Sequence, residues 1–431
     1  MYPNLFYAFR DLFGVEWKML RFFPSFGFFV AIAFVVCALV LRAELRRKEA
    51  QGLLQSSDEV ITVGSPATFS ELLFNFIFGL AVGYKFIGLF LSDSPLASNP
   101  QDFFLSSAGS IPAGIVMGLL FAGLKWWEKN KQKLAKPEKR TIRIWPHDRV
   151  GDITIRAALF GFLGAKIFNS LENWNDFVRN PIESLISFSG LTFYGGLICA
   201  ALAIWYYARK HGIGFWYLND AAAPVLMLAY ALGRIGCQVS GDGDWGIANS
   251  AYHTTPDQRV VLNHGNEFAM TIAQNNIFYL NQFGTIDIPH LEVKAPAFLP
   301  TWLVAYQYPH NVINEGIKIP GCTEQYCSYL PAPVFPTPFY ETVICLLLFA
   351  LIWSVRKRFA IPGALFAFYM ILNGIERFFI EKIRVNSKYN ILGFHPTQAE
   401  IISLLMVISG IGLWLYLRKN YHQKQGMIRS S

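Results

Sequence analysis

Two stretches of this chain hold residues able to do chemistry. The first, Gly233-Arg234-Ile235-Gly236-Cys237-Gln238-Val239-Ser240-Gly241-Asp242-Gly243-Asp244-Trp245-Gly246, sets an arginine just inside the end of an apolar helix and two aspartates in a glycine-rich turn just outside it. The second, Arg377-Phe378-Phe379-Ile380-Glu381-Lys382-Ile383-Arg384, spaces Arg377, Glu381 and Arg384 at i, i+4 and i+7, which predicts one shared helix face. A guanidinium is always charged and offers a rigid fork of donors that matches phosphate oxygens. Two or three arginines with few other charges therefore suit a phosphate-bearing headgroup. The alternative for the second stretch is an ion ladder that anchors a helix end at the membrane surface. Asp242-Gly243-Asp244 reads either as a carboxylate pair for a metal or as a turn whose aspartates accept from backbone amides. No third ligand is apparent, so the turn is preferred, and neither metal nor cofactor is expected.

The elements that must carry these residues are membrane helices. Of 431 residues, 53% are hydrophobic and only 15% charged; soluble domains average about 45–50% apolar and about 25% charged. Long uncharged runs recur, as in a polytopic membrane protein lying in a lipid bilayer. The net charge of +8 is no nucleic-acid signal, because the basic residues bunch beside apolar runs and orient them. A charge at the bilayer centre costs about 2.5–3.5 kcal/mol on insertion scales. Arg234 and Arg377 must then face a bundle interior or a wet cavity.

Nine spans are expected, at about 22–41, 70–92, 108–126, 153–171, 187–208, 219–239, 338–355, 361–381 and 398–417. The first is too long for a secretory signal and lacks a small-residue cleavage site. Arg42, Arg46, Arg47 and Lys48 follow it, and Lys125 to Arg149, Arg209-Lys210, Arg356 to Arg358 and Arg418-Lys419 follow others. With the N-terminus outside and the C-terminus in the cytoplasm, every dense basic cluster falls inside. Residues 240–335 are polar and turn-rich and read as an outside domain between two membrane regions, 1–239 and 336–431. Cys322 and Cys327 lie close together there and are able to pair if the compartment is oxidising. Cys37, Cys199, Cys237 and Cys345 sit in apolar runs and read as small core residues. Gly195-Gly196 and Gly233/Gly236 would let helix backbones approach closely.

Four blocks in this order resemble the prolipoprotein diacylglyceryl transferase family. They are Gly190 to Leu197, Gly233 through Gly246, Phe335-Pro336-Thr337-Pro338-Phe339-Tyr340-Glu341, and Arg377 to Arg384 followed by Gln398. A weaker match lies at Ser25-Phe26-Gly27. Spans two and three (70–126) look like an added pair relative to a seven-span family. The resemblance implies an all-α enzyme of the bacterial cytoplasmic membrane that moves the diacylglyceryl group of phosphatidylglycerol to the cysteine thiol of a prolipoprotein signal peptide. It implies that Arg234 and Arg377 stabilise the leaving phosphate and that Glu381 orients Arg377 or holds the lipid glycerol. Gly195, Gly196, Gly236, Asp244, Gly246, Tyr340, Glu341, Arg384 and Gln398 would line the substrates.

The chain departs from the family at several positions. Tyr194 stands where the family has histidine, and Cys237 where it has asparagine. Asp242 or Asp244 replaces a glutamate, Phe26 a tyrosine and Phe335 a histidine. A thiol, with pKa about 8.5, reacts as thiolate, and free tyrosine at about 10 is a poor base at neutral pH. Tyr194 and Asp242 are both candidates for the proton acceptor, with Glu381 a third. Competing readings are a different lipid-linked transferase on the same scaffold, or a lipid-binding or transporting protein without catalysis.

Overall fold

The computed structural model describes residues 1–91, 103–104, 106–186, 192–255, 257–386, 389–390 and 394–430. Long helices dominate: α1 (Leu5–Phe13), α2 (Ser25–Ala50), α3 (Phe69–Val82), α4 (Ile111–Lys131), α5 (Val150–Glu172), α6 (Phe193–Lys210) and α7 (Phe215–Ser240). They continue as α8 (Glu267–Gln274), α9 (Asn276–Phe283), α10 (Thr337–Val355), α11 (Ala364–Glu381) and α12 (Gln398–Ser430). Among the described residues, five helices are long and apolar enough to cross a membrane: α2, α3 with its continuation to Leu91, α7, α10 and α12 to Tyr421. Their side chains, such as Leu39, Phe74, Leu347 and Leu404, lie largely on the outside of the fold, which suits contact with lipid rather than water. Two other long helices carry charges in their middle turns, Arg156 and Lys166 in α5, Glu376 and Arg377 in α11. Residues 187–191, with which the fifth span and its Gly190 block were expected to open, lie outside the described residues.

The chain divides into two compact units, residues 1–44 with 216–431, and residues 45–215. In the second unit, β1 (Ser57–Val63) and β2 (Glu138–Ile144) pair antiparallel over seven residues, from Ser57 opposite Ile144 to Val63 opposite Glu138. The ladder closes the base of the α3–α4 hairpin. A Cβ on Gly79 would meet the Met117 carbonyl at 2.5 Å, so only glycine allows that helix crossing.

In the first unit, α7, α10 and α11 pack around Ala223, Met227, Ala231, Cys345, Ile352 and Leu365. Asp220 on α7 caps the start of α11: its Oδ2 accepts from Gly363 N–H at 2.9 Å and its Oδ1 from Phe366 N–H at 3.1 Å. Gly363 itself has φ of +90° and no side chain to cap with, so the cap comes from a neighbouring helix. α2 runs on to Ala50, past the expected end at 41, because Ala, Leu, Arg, Glu and Lys are strong helix formers. There its fully buried Glu44 accepts from Arg356 Nε at 3.0 Å.

The segment 240–335 has α8, α9 and short two-stranded pairs in place of a sheet. Buried asparagines hold it together. Asn249 donates to the Val293 and Val304 carbonyls, and Asn311 to those of Tyr308 and Glu315. Side chains of this kind satisfy loop backbone that no ladder can reach. Cys322 and Cys327 form a disulfide.

Candidate active site

α7 ends in a positive-φ glycine, Gly241, and the 241–246 turn then reverses the chain. Arg234 lies two turns inside that end. Its Nε sits 2.9 Å from Glu341 Oε2, and its Nη1 bonds Asp244. Glu341, wholly buried one turn into α10, is the hub. Its Oε1 accepts from Arg377 Nη1 at 2.9 Å and from the Tyr230 hydroxyl at 2.7 Å. Arg377 also reaches Glu381 Oε2 at 3.2 Å, the i to i+4 pair the spacing anticipates. Glu381 in turn accepts from Asn386 at 2.5 Å.

Arg384 joins the cluster by a route the spacing does not anticipate. α11 stops at Glu381, and Lys382 and Ile383 close the end with bonds to Phe379 and Ile380. Arg384 then pairs as a β-bridge with Gly246. It is the broken helix, not a continuous face, that turns Nη2 onto Asp244 Oδ1 at 2.6 Å. Gly246 is needed there because a Cβ would stand 2.6 Å from the Ile383 carbonyl.

The expectation of few other charges is corrected here. Three guanidiniums face three carboxylates, Asp244, Glu341 and Glu381, since burial without compensation would be prohibitive. The match is nevertheless incomplete. The Arg384 side chain is 8% exposed, its Nε has no hydrogen-bond partner, and its Nη1 faces Glu341 Oε2 at 3.5 Å as an ion pair without a hydrogen bond. Two donor atoms of Arg384 therefore lack a hydrogen bond.

The two aspartates of the turn differ in environment. Burial pushes Asp242 above the ordinary carboxylate range, and Asp244 adds to it. Burial pushes Asp244 the same way, but Arg234 and Arg384 outweigh it and hold this carboxyl below its usual value. Cys237 Sγ and one oxygen of each aspartate lie within 4.8 Å of one another. This supplies the third ligand that sequence left missing, yet two guanidiniums already occupy Asp244 and oppose a cation.

Other expected residues make different contacts. The Tyr340 hydroxyl donates to the Leu303 carbonyl and anchors the 240–335 segment. Gln398 is exposed at the start of α12. Gly236 packs on Phe26 and Phe29 of α2, whereas Gly233 faces open space and allows no close approach. Tyr194, Gly195 and Gly196 belong to the other unit. There Gly195 lies against Phe168 and the Gly164 carbonyl, and Gly196 against that of Gly161, so this pair serves the α5–α6 crossing. Tyr194 is partly exposed in the first turn of α6, edge-on to Phe193. Sequence reasoning passed over Tyr230, whose only signal is its place one turn before Arg234. It also passed over Glu376, buried beside Arg377 with neither carboxyl oxygen bonded.

Known proteins resemble the chain across this region. The family described as prolipoprotein diacylglyceryl transferase matches residues 110–416. A phosphatidylglycerol–prolipoprotein diacylglyceryl transferase of Enterococcus faecalis is 28% identical over 280 residues, 64% of this chain and 78% of that protein. Proteins of the same name from Shouchella clausii and Listeria welshimeri are 25% and 26% identical, over 63% and 72% of this chain and 76% and 83% of theirs. The matched region contains every member of the ion-pair cluster, and the chain belongs to the prolipoprotein diacylglyceryl transferase family.

Proposed function

We propose that this transferase moves the diacylglyceryl group of phosphatidylglycerol onto the cysteine thiol of a prolipoprotein signal peptide. The observation that carries the reading is the convergence of Arg234, Arg377 and Arg384 on Glu341, with two Arg384 donors left open. In the reaction the thiolate sulfur bonds to the lipid glycerol carbon that carries the phosphate. The carbon–oxygen bond breaks, and glycerol phosphate departs with the electron pair. Arg384 receives a phosphate oxygen, and Arg234 and Arg377 hold the growing charge in a buried, preorganised site. Glu341 and Glu381 keep the guanidiniums oriented.

The thiol proton goes to Asp242, whose burial raises its basicity while leaving it outside the arginine pairs. Tyr194, at the family's histidine position, is the second candidate. Gly236, Gly246, Asp244, Tyr340 and Gln398 shape or bound the substrate site. No cofactor takes part. α2 to α7 and α10 to α12 all cross the bacterial inner membrane, with the N-terminus and residues 240–335 outside and the C-terminus in the cytoplasm. α3 precedes the stretch that the family matches, whereas α4 lies within it.

Purified protein in phosphatidylglycerol vesicles with a signal-peptide substrate tests this directly. A thioether-linked lipid product and an equal amount of glycerol phosphate are expected. Binding of both substrates without either product would leave a lipid-binding protein instead.

A further inference from the structure

A cavity of about 110 Å³ lies in the 240–335 segment, on ground the chemistry above does not use. Phe278, Phe283 and Ile288 form apolar walls, and Gln282 stands at its exposed rim. Three further lining residues tie it to the ion-pair cluster: Gly243 and Trp245 flank Asp244, and Val385 follows Arg384. Consecutive Cα atoms are about 3.8 Å apart, so cavity and cluster are walled by the same turn. Inside, Tyr279 is 3% exposed, and its hydroxyl lies beside the Ala332 backbone with no acceptor for its proton. A buried donor left unspent is costly, and a ligand carbonyl would relieve it.

We infer that this cavity holds an aliphatic side chain of the lipoprotein substrate, from one of the two residues that follow the modified cysteine, with Tyr279 donating to a peptide carbonyl beside it. The inference rests on the proposed transferase reading. The apolar part of a signal peptide lies in the membrane, so the chain beyond its cysteine passes outward, where this segment stands. An extended peptide rises about 3.3 Å per residue, so a thiol at the cluster brings its next two residues to the neighbouring cavity. Size sets the class of side chain. An apolar cavity of about 150 Å³ takes a benzene ring; this smaller one suits valine or leucine and excludes an indole. The walls carry no charge to receive an acidic residue.

The test uses the full-length protein in phosphatidylglycerol vesicles and peptides carrying Ala, Leu, Trp or Asp at each of the two positions in turn. At one position, leucine is expected to exceed tryptophan and aspartate in kcat/KM by roughly tenfold or more. Phe278→Ala should erase most of the leucine-over-tryptophan preference, and Tyr279→Phe should raise the peptide KM several-fold, with the lipid KM unchanged in both. Gln282→Trp, at the exposed rim, should raise the KM for the leucine peptide with the melting temperature close to that of the wild type. Indifference of the wild type at both positions overturns the inference, as does a Phe278→Ala variant that slows all peptides alike. Peptide binding measured by fluorescence anisotropy in lipid-free detergent separates the two readings. If the leucine preference persists in binding while no thioether forms, the transferase reading fails and the cavity assignment stands.

Discussion

Two buried arginine clusters occupy the two units, and they are built to opposite ends. In residues 45–215, Arg149 gives Nη2 to Glu59 at 2.5 Å and to Ser57 at 3.0 Å, and Nη1 to the Tyr207 hydroxyl at 3.4 Å. Tyr207 passes its own proton to Asp152 at 2.6 Å, and His211 Nδ1 lies 3.1 Å from Glu59. No buried nitrogen of Arg149 lacks a bond. This cluster ties the β1–β2 ladder to α5 and α6 and has nothing left to offer a ligand. The Arg234–Glu341–Arg377–Arg384 cluster is as well balanced in charge, yet it keeps Arg384 Nε and Nη1 open. Under the proposed function, full hydrogen bonding suits a structural tie and a bare buried donor suits an incoming anion.

Substitutions should separate the two clusters. The largest effect is expected from Arg234→Ala, which removes a donor from the developing phosphate charge. Transfer should fall about 10²–10³-fold in kcat, measured as glycerol phosphate release. Arg149→Met should lower the melting temperature in detergent and leave kcat of the folded fraction unchanged; equal loss of kcat in both variants would erase the distinction. Arg384→Lys keeps the charge but loses the fork. It should raise the lipid KM more than it lowers kcat, whereas the same exchange at Arg149 should leave the lipid KM alone.

Acid sharpens the contrast within the 241–246 turn. Asp244 is held below the usual carboxylate value by Arg234 and Arg384, against burial. Its stabilisation is therefore complete above its unfolded pKa, near 3.8, and is lost as pH falls below that through the folded value. Asp242 is raised by burial, so ionising it costs stability as pH rises above the same value. Asp244→Asn should flatten the acid limb of the melting curve, while Asp242→Asn should remove the acidic limb of the rate profile. If neither limb moves, both assignments fail. The smallest effect is expected at the Cys322–Cys327 disulfide, which closes a loop of only five residues' separation. Its double serine variant should lose no more than about 2 kcal/mol of stability and retain its rate.

Much of this was readable from residue order. Apolar runs placed the long helices, since span length and lipid contact are local properties of a segment. The i to i+4 pairing of Arg377 with Glu381 was also local. Arg384 was misplaced on a helical face because the helix end depends on Gly246 offering a backbone partner more than 130 residues away in the chain. Gly195 and Gly196 lie at the α5–α6 crossing, and which helix they meet shows only once the opposing helix is in place.

The order of residues, then, was enough to point to a helical protein with membrane-crossing segments and to its family. It could not reveal that Glu341 sits at the centre of three guanidiniums, that two donors of Arg384 go unused, or that a cavity backs onto the same turn. Those facts arise where α7, α10 and the broken end of α11 meet. Hydropathy and spacing act over a few neighbouring residues, while charge compensation and the accounting of buried donors are settled only between segments brought together by folding.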